Sequence, residues 1–165
     1  MAALPDADKL CEKLARELKA VVKPSTAMVG IHTGGAWVAE RLHAALALMF
    51  PLGLLDPAFY RDDYAKQGLA KDPKRSKIPF EVEGKDLLLV DDVLHTGRTV
   101  RAAMNELFDY GRPATIALVV LAERDGRQLP VCAQHCGAKV DVPAGMRLRL
   151  KRGADGRLSL ELDRA

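Results

Sequence analysis

Apolar positions recur along the chain with the spacings of both helices and strands. Leu10, Leu14 and Leu18 are four residues apart, which places them on one face of a helix that Asp6 or Asp8 can cap. Short continuous apolar runs, typical of strands buried on both faces, occur at residues 27–31, 87–90 and 115–121. Because helical patterns separate these runs, the order predicts a parallel sheet with helices on both faces.

Weaker patterns predict two more helices and three more short strands. One helix is expected at residues 38–49 and ends before Pro51. The other is expected at residues 99–110 and ends before Gly111 and Pro113. The strands are expected at residues 52–56, around residues 59–60 and at residues 80–82.

Two further segments have patterns of their own. Residues 65–77 are polar and basic and include Gly68 and Pro73, which predicts a mobile loop. Residues 147–151 and 157–162 alternate strictly between polar and apolar side chains on either side of a glycine-containing turn. This alternation predicts a C-terminal β-hairpin.

Length and composition favour one ordinary globular domain that covers residues 1–165. Hydrophobic residues make up 48% and charged residues 28%, which excludes a disordered tail and a fibrous repeat. The apolar runs are all far shorter than the ~20 residues that a membrane span needs, so no membrane partner is expected. Three cysteines are too few for a disulfide framework and indicate a reducing, cytoplasmic location.

The net charge of +3 is unevenly distributed. Residues 61–77 carry six cations and three anions, and residues 147–157 carry five cations and one anion. Such patches suit a phosphorylated ligand or a nucleic acid, and a solvated charged face is the commoner explanation.

The segment LLLVDDVLHTGRT at residues 87–99 contains the clearest chemistry. A buried strand delivers Asp91 and Asp92 at its carboxyl end, where open α/β sheets bind their ligands. Gly97 lets the backbone approach an anion, Thr96 and Thr99 add hydroxyl donors, and the next helix offers free N–H groups at its start. Two acids beside a phosphate cradle suit a sugar phosphate.

The sequence lacks the motifs of two other kinds of nucleotide-binding site. A P-loop needs Gly-Lys followed by Ser or Thr, but here Asp86 follows Gly84 and Lys85. The chain also contains no G-x-G-x-x-G, so a dinucleotide-binding Rossmann site is unsupported.

The same segment resembles the phosphoribosyl-pyrophosphate (PRPP) signature of type I phosphoribosyltransferases. Beyond it, the chain is similar to the pyrimidine operon attenuation regulators, a family of bifunctional proteins with uracil phosphoribosyltransferase activity. That similarity covers roughly residues 10–140 and rests on residues 60–63, 78–85, 96–114 and 124–130. It implies the type I phosphoribosyltransferase fold, a mainly parallel sheet flanked by helices with a flexible basic lid at residues 65–77.

The resemblance also implies site residues. Asp91 and Asp92 would bind the ribose hydroxyls and steady the positive charge that develops at C1. Arg127 would lie near the base, and Mg²⁺ would arrive with PRPP and reach Asp91 or Asp92 through water. The 5′-phosphate would be bound by Val93, Leu94, His95, Thr96, Gly97, Arg98 and Thr99. The pyrophosphate would be bound by His32, Thr33, Gly34, Gly35 and Arg61.

Two segments of the chain depart from the family pattern. Many relatives carry Thr-Arg-Gly in the pyrophosphate loop, whereas this chain has Gly34 in place of the arginine. Family members that bind messenger RNA tend to carry Thr and His in the first helix, where this chain has Glu12 and Arg16. An acid on an RNA-facing surface repels phosphate, so regulation is in more doubt than catalysis.

The resulting expectation is a uracil phosphoribosyltransferase that makes UMP and pyrophosphate from uracil and PRPP. Two alternatives stay open: a UMP-sensing attenuator that binds pyrimidine-operon leader mRNA with little or no transferase activity, and a transferase for a purine base. The resemblance further implies a homodimer or a larger homo-oligomer.

Overall fold

A five-stranded parallel sheet forms the centre of the computed structural model, which describes residues 3–60 and 76–165. The strand order is β2-β1-β3-β4-β5. The strands are β1 (Thr26–Ile31), β2 (Gly53–Leu55), β3 (Asp86–Leu94), β4 (Thr115–Glu123) and β5 (His135–Lys139). The helices are α1 (Ala7–Leu18), α2 (Gly34–Leu46) and α3 (Arg98–Asp109), and a 3₁₀ helix spans Pro57–Tyr60.

Local sequence accounts for where the helices begin and end. The Asp6 side chain caps α1 by accepting hydrogen bonds from the N–H groups of Asp8 and Lys9, at 3.0 and 3.2 Å. The helix α2 ends at Leu46, and the next residue, Ala47, adopts a left-handed conformation with φ 48°. All three predicted helices are therefore present, and α1 and α2 begin a few residues earlier than the apolar spacing alone indicates.

Two apolar layers enclose the sheet. On one face, α1 and α2 pack against β1, β3 and β4, with Leu14, Leu18 and Leu42 fully buried. On the other face, α3 covers the sheet through Val100, Ala103 and Leu107. The central strand β3 lies between β1 and β4 and is buried over most of its length, as its continuous apolar run predicts.

A separate antiparallel hairpin follows the sheet. It consists of β6 (Met146–Arg152) and β7 (Leu158–Arg164), which pair over their full length. One face of the hairpin buries four leucines in the same apolar cluster as α1 and α2: Leu148, Leu150, Leu158 and Leu160. The alternation in the sequence predicts this hairpin correctly.

Three local predictions are wrong or incomplete. Residues 57–60 form a 3₁₀ helix instead of the strand expected around residues 59–60, since Pro57 has a fixed φ and no N–H to contribute to a strand. Residues 80–82 are not a strand, and β5 has no counterpart in the predicted elements. The expected lid at residues 65–77 lies almost wholly outside the described residues. At its C-terminal end, Lys77 is described and forms an antiparallel bridge to Leu54.

The described residues contain neither a membrane-spanning helix nor a disulfide bond. Within residues 3–60 and 76–165, no helix is long and apolar enough to cross a bilayer. Cys11, Cys132 and Cys136, all three in the described part of the chain, are free thiols.

Candidate active site

The two adjacent acids lie near the carboxyl end of β3. Asp91 is 5% exposed, and its Oδ1 accepts the N–H of Asp92 at 2.9 Å. Asp92 is half-buried, and its Oδ1 accepts the N–H of Val93 at 2.8 Å. Successive side chains of a strand point to opposite faces, and accordingly Asp91 lines one cavity while Asp92 lines another.

The smaller cavity lies at the start of α3. It has a volume of about 380 Å³. Gly97 has φ 92°, a conformation that favours glycine, and it turns the chain from β3 into the helix. The N–H of Arg98 donates to the Thr96 hydroxyl at 3.2 Å. A helix start has amides without intrahelical partners and a partial positive charge, so this cavity suits a phosphate. Its lining residues are Asp91, Val93, Leu94, His95, Thr96, Gly97, Arg98, Thr99, Val100 and Gln128.

The sequence prediction placed seven phosphate-binding residues at this turn, and all seven line the smaller cavity. The structure thus brings together the residues from Val93 to Thr99 with Asp91. Gln128 also lines the cavity and was not predicted. Its side-chain oxygen accepts a hydrogen bond from Nε of Arg98 at 2.9 Å, which joins the loop after β4 to the phosphate turn.

The backbone of the loop after β4 donates hydrogen bonds to the phosphate turn and to the end of β3. The N–H groups of Gln128 and Leu129 donate to the Thr96 carbonyl at 3.0 and 3.2 Å, and the N–H of Arg124 donates to the Leu94 carbonyl at 3.0 Å. Each of these bonds fixes a carbonyl of the turn.

Arg127 is the central residue of this support. Its guanidinium donates to the His95 carbonyl, to the Val131 carbonyl at 2.8 Å and to the Glu123 carboxylate. The resemblance implies a position near the base for Arg127. Among the described residues, however, its side chain contacts the backbone of the phosphate turn and does not line the larger cleft.

His95 lies between the two cavities and lines both. Burial lowers the pKa of its imidazole, and the positive charges of Arg124 and Arg127 lower it further. The ring is therefore mainly neutral at pH 7. A neutral imidazole can accept a hydrogen bond, which a doubly protonated ring cannot do.

The loop expected to bind pyrophosphate packs directly against β3. The peptide between His32 and Thr33 is cis, and the N–H of His32 donates to the Leu55 carbonyl at 2.8 Å. A Cβ on Gly34 would overlap the Asp92 carboxylate, and a Cβ on Gly35 would lie 2.6 Å from the Val90 carbonyl oxygen. Gly35 is therefore required by its close approach to the backbone of β3, whereas a side chain at position 34 would require the Asp92 carboxylate to move.

The larger cleft, of about 740 Å³, lies between this loop and the hairpin. Thr33, Gly34 and Asp92 form one side of it, and β6 forms the other. Val93 and His95, which were predicted to bind the 5′-phosphate, also line the cleft. The other lining residues were not predicted as residues of this site, because nothing in the alternating hairpin pattern says where the hairpin docks. They are Trp37, Arg124, the segment from Gly145 to Lys151, and Ala165.

Cations line the hairpin side of the cleft, but most are paired. Arg149 lies 3.7 Å from the Asp163 carboxylate, and Lys151 forms an ion pair with Glu161. Arg124 donates from its Nη1 to the Met146 carbonyl at 3.0 Å and so joins β4 to β6. The first-helix positions singled out for RNA binding, Glu12 and Arg16, are exposed.

The remaining predicted features concern pyrophosphate and metal. Arg61 lies outside the described residues. Across the described ranges, the side chains of His, Cys, Asp and Glu form no group of three that could hold a metal ion. Asp91 and Asp92 are the acids at the site, and Mg²⁺ commonly binds to one or two carboxylates together with substrate phosphates. The donors present thus fit a metal that is held mainly by its substrate.

Sequence comparisons identify the family of this chain. The profile of the phosphoribosyl transferase domain family matches residues 2–139. The bifunctional protein PyrR of Pseudomonas fluorescens is 44% identical over 163 residues, which cover 96% of this chain and 97% of that protein. The bifunctional protein PyrR of Pseudomonas syringae pv. syringae strain B728a is 46% identical over 152 residues, which cover 90% and 89%.

Solved structures with the same fold include a hypoxanthine-guanine phosphoribosyltransferase from Bacillus anthracis. It has a TM-score of 0.66 and 17% identity, over 87% of this chain and 85% of that chain. A hypoxanthine phosphoribosyltransferase from Staphylococcus aureus has a TM-score of 0.64 and 20% identity, over 82% and 73%. The profile match and the identity of 44–46% over nearly the whole chain show the family. This chain belongs to the phosphoribosyltransferase family and, within it, to the bifunctional PyrR proteins.

Proposed function

We propose that this protein transfers the phosphoribosyl group of PRPP to uracil and so produces UMP and pyrophosphate. One observation carries the proposal: Asp91 and Asp92 lie between a cavity suited to a phosphate and a larger cleft, and Val93 and His95 line both spaces. A sugar phosphate with its phosphate in the smaller cavity has its ribose at the acids and its C1 substituents in the cleft.

The smaller cavity holds the 5′-phosphate. The amides at the start of α3, together with the hydroxyls of Thr96 and Thr99, donate to its oxygens. Arg127 acts indirectly, because its guanidinium donates a hydrogen bond to the His95 carbonyl and so fixes the shape of the turn. Binding energy gained at this phosphate, remote from the reacting carbon, orients the ribose for reaction.

Asp91 and Asp92 act on the ribose. Their carboxylates accept hydrogen bonds from its hydroxyls, and their negative charge stabilises the positive charge that develops at C1. In the reaction the bond between C1 and a pyrophosphate oxygen breaks, a bond between C1 and N1 of uracil forms, and the proton of N1 is released. Because base and pyrophosphate exchange directly at C1, no nucleophilic Ser or Cys is needed.

The pyrophosphate lies beside Thr33 and Gly34, where the loop contacts Asp92. Mg²⁺ that arrives with PRPP would neutralise part of the charge of the leaving group. Asp91 or Asp92 would reach the metal through water. We also propose that the hairpin belongs to the same domain as the sheet, since β6 closes the cleft and its leucines pack on α1 and α2.

A panel of bases tests the proposal. The protein is incubated with PRPP, Mg²⁺ and one of uracil, cytosine, hypoxanthine or guanine, and both pyrophosphate release and the nucleotide product are measured. We expect UMP from uracil and little product from the other bases. Turnover of a purine base at a higher kcat/KM than uracil would overturn the choice of base and favour the purine alternative.

RNA binding is the second candidate function, because the matching relatives are named bifunctional. Arg147, Arg149 and Lys151 share one face of β6, as an RNA-contacting surface requires. Two of these three cations already pair with acids of β7. We therefore propose that catalysis is the main function and that binding of leader mRNA is weak.

A further inference from the structure

Glu106 is a buried carboxyl that the proposed reaction does not use. It lies on α3, and the residue is only 7% exposed. Its Oε2 has no hydrogen-bond partner among the described residues. Burial raises the pKa of this carboxyl, although a hydrogen bond from the Ser76 side chain lowers it. Burying a carboxyl costs free energy that burying an apolar side chain does not, which points to a role for this residue beyond packing.

Ser76, the partner of this carboxyl, is held beside the end of β2. The next residue, Lys77, exchanges two backbone hydrogen bonds with Leu54, each of 2.8 Å. The Ser76 hydroxyl thus reaches the backbone that follows β2, and it accepts the N–H of Asp56 at 2.9 Å. A hydroxyl that accepts through its oxygen still has its hydrogen to donate, and the acceptor of that hydrogen is the Glu106 carboxyl.

The peptide unit between Leu55 and Asp56 continues this chain of hydrogen bonds. Its N–H, which belongs to Asp56, donates to Ser76. Its C=O, which belongs to Leu55, accepts the N–H of His32 at 2.8 Å. In a trans peptide these two groups point in opposite directions, so one rigid plane joins both hydrogen bonds. His32 is the first residue of the loop expected to bind pyrophosphate.

All three hydrogen bonds run in the same direction. His32 donates to the peptide, the peptide donates to Ser76, and Ser76 donates to Glu106. Hydrogen bonds arranged head to tail polarise one another, so each is stronger than it would be alone. The last acceptor lies on α3, which packs on the opposite face of the sheet from α2. The chain therefore ties the backbone of the loop before α2 to a helix on the other side of the sheet.

We propose that Glu106 is a positioning residue of the pyrophosphate site, which it orients through Ser76 and the peptide between Leu55 and Asp56. This inference rests on the proposed function, because it takes the loop that begins at His32 as the place where pyrophosphate binds. Glu106 is not among the described residues that line either cavity, so it acts only through this chain. Without the acceptor, the Ser76 hydroxyl turns to another partner, and the peptide that receives His32 loses its fixed orientation.

The effect is confined to one of the two anion sites. The phosphate turn is held by Arg127 and by the backbone of the loop after β4, and neither belongs to the chain that ends at Glu106. Removal of the acceptor therefore weakens binding of pyrophosphate and spares binding of the 5′-phosphate. The chain needs an acceptor oxygen at position 106 and not a charge, so a neutral amide serves equally well there.

Calorimetry with two ligands tests the inference: pyrophosphate with Mg²⁺, and ribose 5-phosphate, which carries no pyrophosphate. Glu106→Leu removes the acceptor and fills its space, Ser76→Ala removes the link, and Glu106→Gln keeps an acceptor oxygen. The matched control is Ser25→Ala. It also removes a serine hydroxyl that donates to a carboxylate, that of Asp86 at 2.8 Å, but at the opposite end of the sheet from the site.

We expect Glu106→Leu and Ser76→Ala to weaken pyrophosphate binding about fivefold, the usual size for one lost hydrogen bond, and to leave ribose 5-phosphate binding unchanged. Glu106→Gln and Ser25→Ala should bind both ligands as the wild type does. An unchanged ratio of the two affinities in Glu106→Leu and Ser76→Ala overturns the inference. An equal loss in Glu106→Gln and Glu106→Leu also overturns it. If Glu106→Leu does not fold, Ser76→Ala decides, because Ser76 is only half-buried and lies outside α3.

Hydrogen exchange of the His32 amide, followed by NMR without ligand, measures the far end of the chain. We expect exchange about fivefold faster in Ser76→Ala and unchanged in Ser25→Ala. Equal exchange in these two variants overturns the inference. If the wild type makes UMP and the affinity ratio is unchanged in the variants, the proposed function stands and this inference fails. If the wild type binds no pyrophosphate, both fail.

Discussion

The carboxylate of Asp92 lies against Gly34, so closely that a methyl group at position 34 would overlap it. This contact joins the loop expected to bind pyrophosphate to an acid expected to bind ribose. In the conformation described, a longer side chain at position 34 requires Asp92 to move.

The first prediction therefore concerns Gly34. Gly34→Ala displaces the Asp92 carboxylate, and we expect kcat/KM for PRPP to fall at least tenfold, since a misplacement of about 1 Å at a reacting group has effects of this size. Steady-state kinetics measure it. Gly153→Ala is the control, because its added methyl also meets an aspartate carboxylate, that of Asp155, but in the hairpin turn and outside the site. Equal kinetics in the two variants would contradict the role given to this contact.

The acids themselves give the second prediction. In the double variant Asp91→Asn with Asp92→Asn, kcat/KM should fall by orders of magnitude while the circular dichroism spectrum stays that of the native protein. The control is Asp86→Asn at the opposite end of the same strand, where Thr115 and Ser25 hydrogen bond the carboxylate. We expect that control to lower stability slightly and to leave turnover intact. Near-normal turnover in the double variant would remove the site.

Arg127 carries the third prediction. Because its guanidinium fixes the phosphate turn, Arg127→Met should raise KM for PRPP about tenfold or more and leave KM for uracil nearly unchanged. Arg101→Met, an exposed arginine on α3, serves as the control. The opposite pattern, a raised KM for uracil alone, would place Arg127 at the base, as the family resemblance implies.

A fourth prediction concerns pH. The pKa of His95 is lowered in the folded protein, so the unfolded chain binds a proton on this ring more readily. This ring therefore makes the protein less stable as pH falls through the ordinary histidine pKa of about 6.5. Thermal unfolding of wild type and His95→Gln at pH 7.5 and pH 5 measures the effect. We expect Tm of the variant to fall less between these values. Parallel curves would show that His95 does not contribute.

The fifth prediction concerns RNA. Glu161 and Asp163 pair with cations of β6, so the double variant Glu161→Gln with Asp163→Asn should bind leader RNA more tightly than wild type. The gain should fall with salt, with a slope of about −0.7 per added phosphate contact for single strands. Asp155→Asn, in the hairpin turn, changes the charge without freeing these cations. Nanomolar, UMP-enhanced and sequence-specific binding by wild type would show that the pairing does not limit RNA binding.

The sequence predicts those elements whose burial is uniform or strictly periodic. The strands β1, β3 and β4 have both faces buried and so appear as apolar runs, and the hairpin has one face buried and so alternates. Among the described strands, β5 pairs with β4 alone, and its sequence, HCGAK, has neither signature. Its position is set by pairing with β4, which local sequence does not encode.

The candidate site also has a part that local sequence predicts and a part that it does not. The residues from Asp91 to Thr99 are contiguous, so one segment of sequence contains both the acids and the phosphate turn. The role of Arg127 as a support depends on the approach of a loop about 30 residues away along the chain, and the cleft wall at Leu148 and Leu150 depends on where a hairpin docks. Contacts between distant segments carry no local pattern. The predicted roles of Arg61 and of the lid at residues 65–77 stay predictions.

The docking of the hairpin on α1 and α2 has a consequence for the order in which the site is built. A ribosome makes all five strands of the sheet, and with them both acids and the phosphate turn, before it makes β6. A nascent chain that ends before Met146 thus contains the phosphate cavity and lacks the wall of the cleft. Affinity for ribose 5-phosphate should precede affinity for UMP during synthesis, so substrate selection is the last property of the site to be acquired.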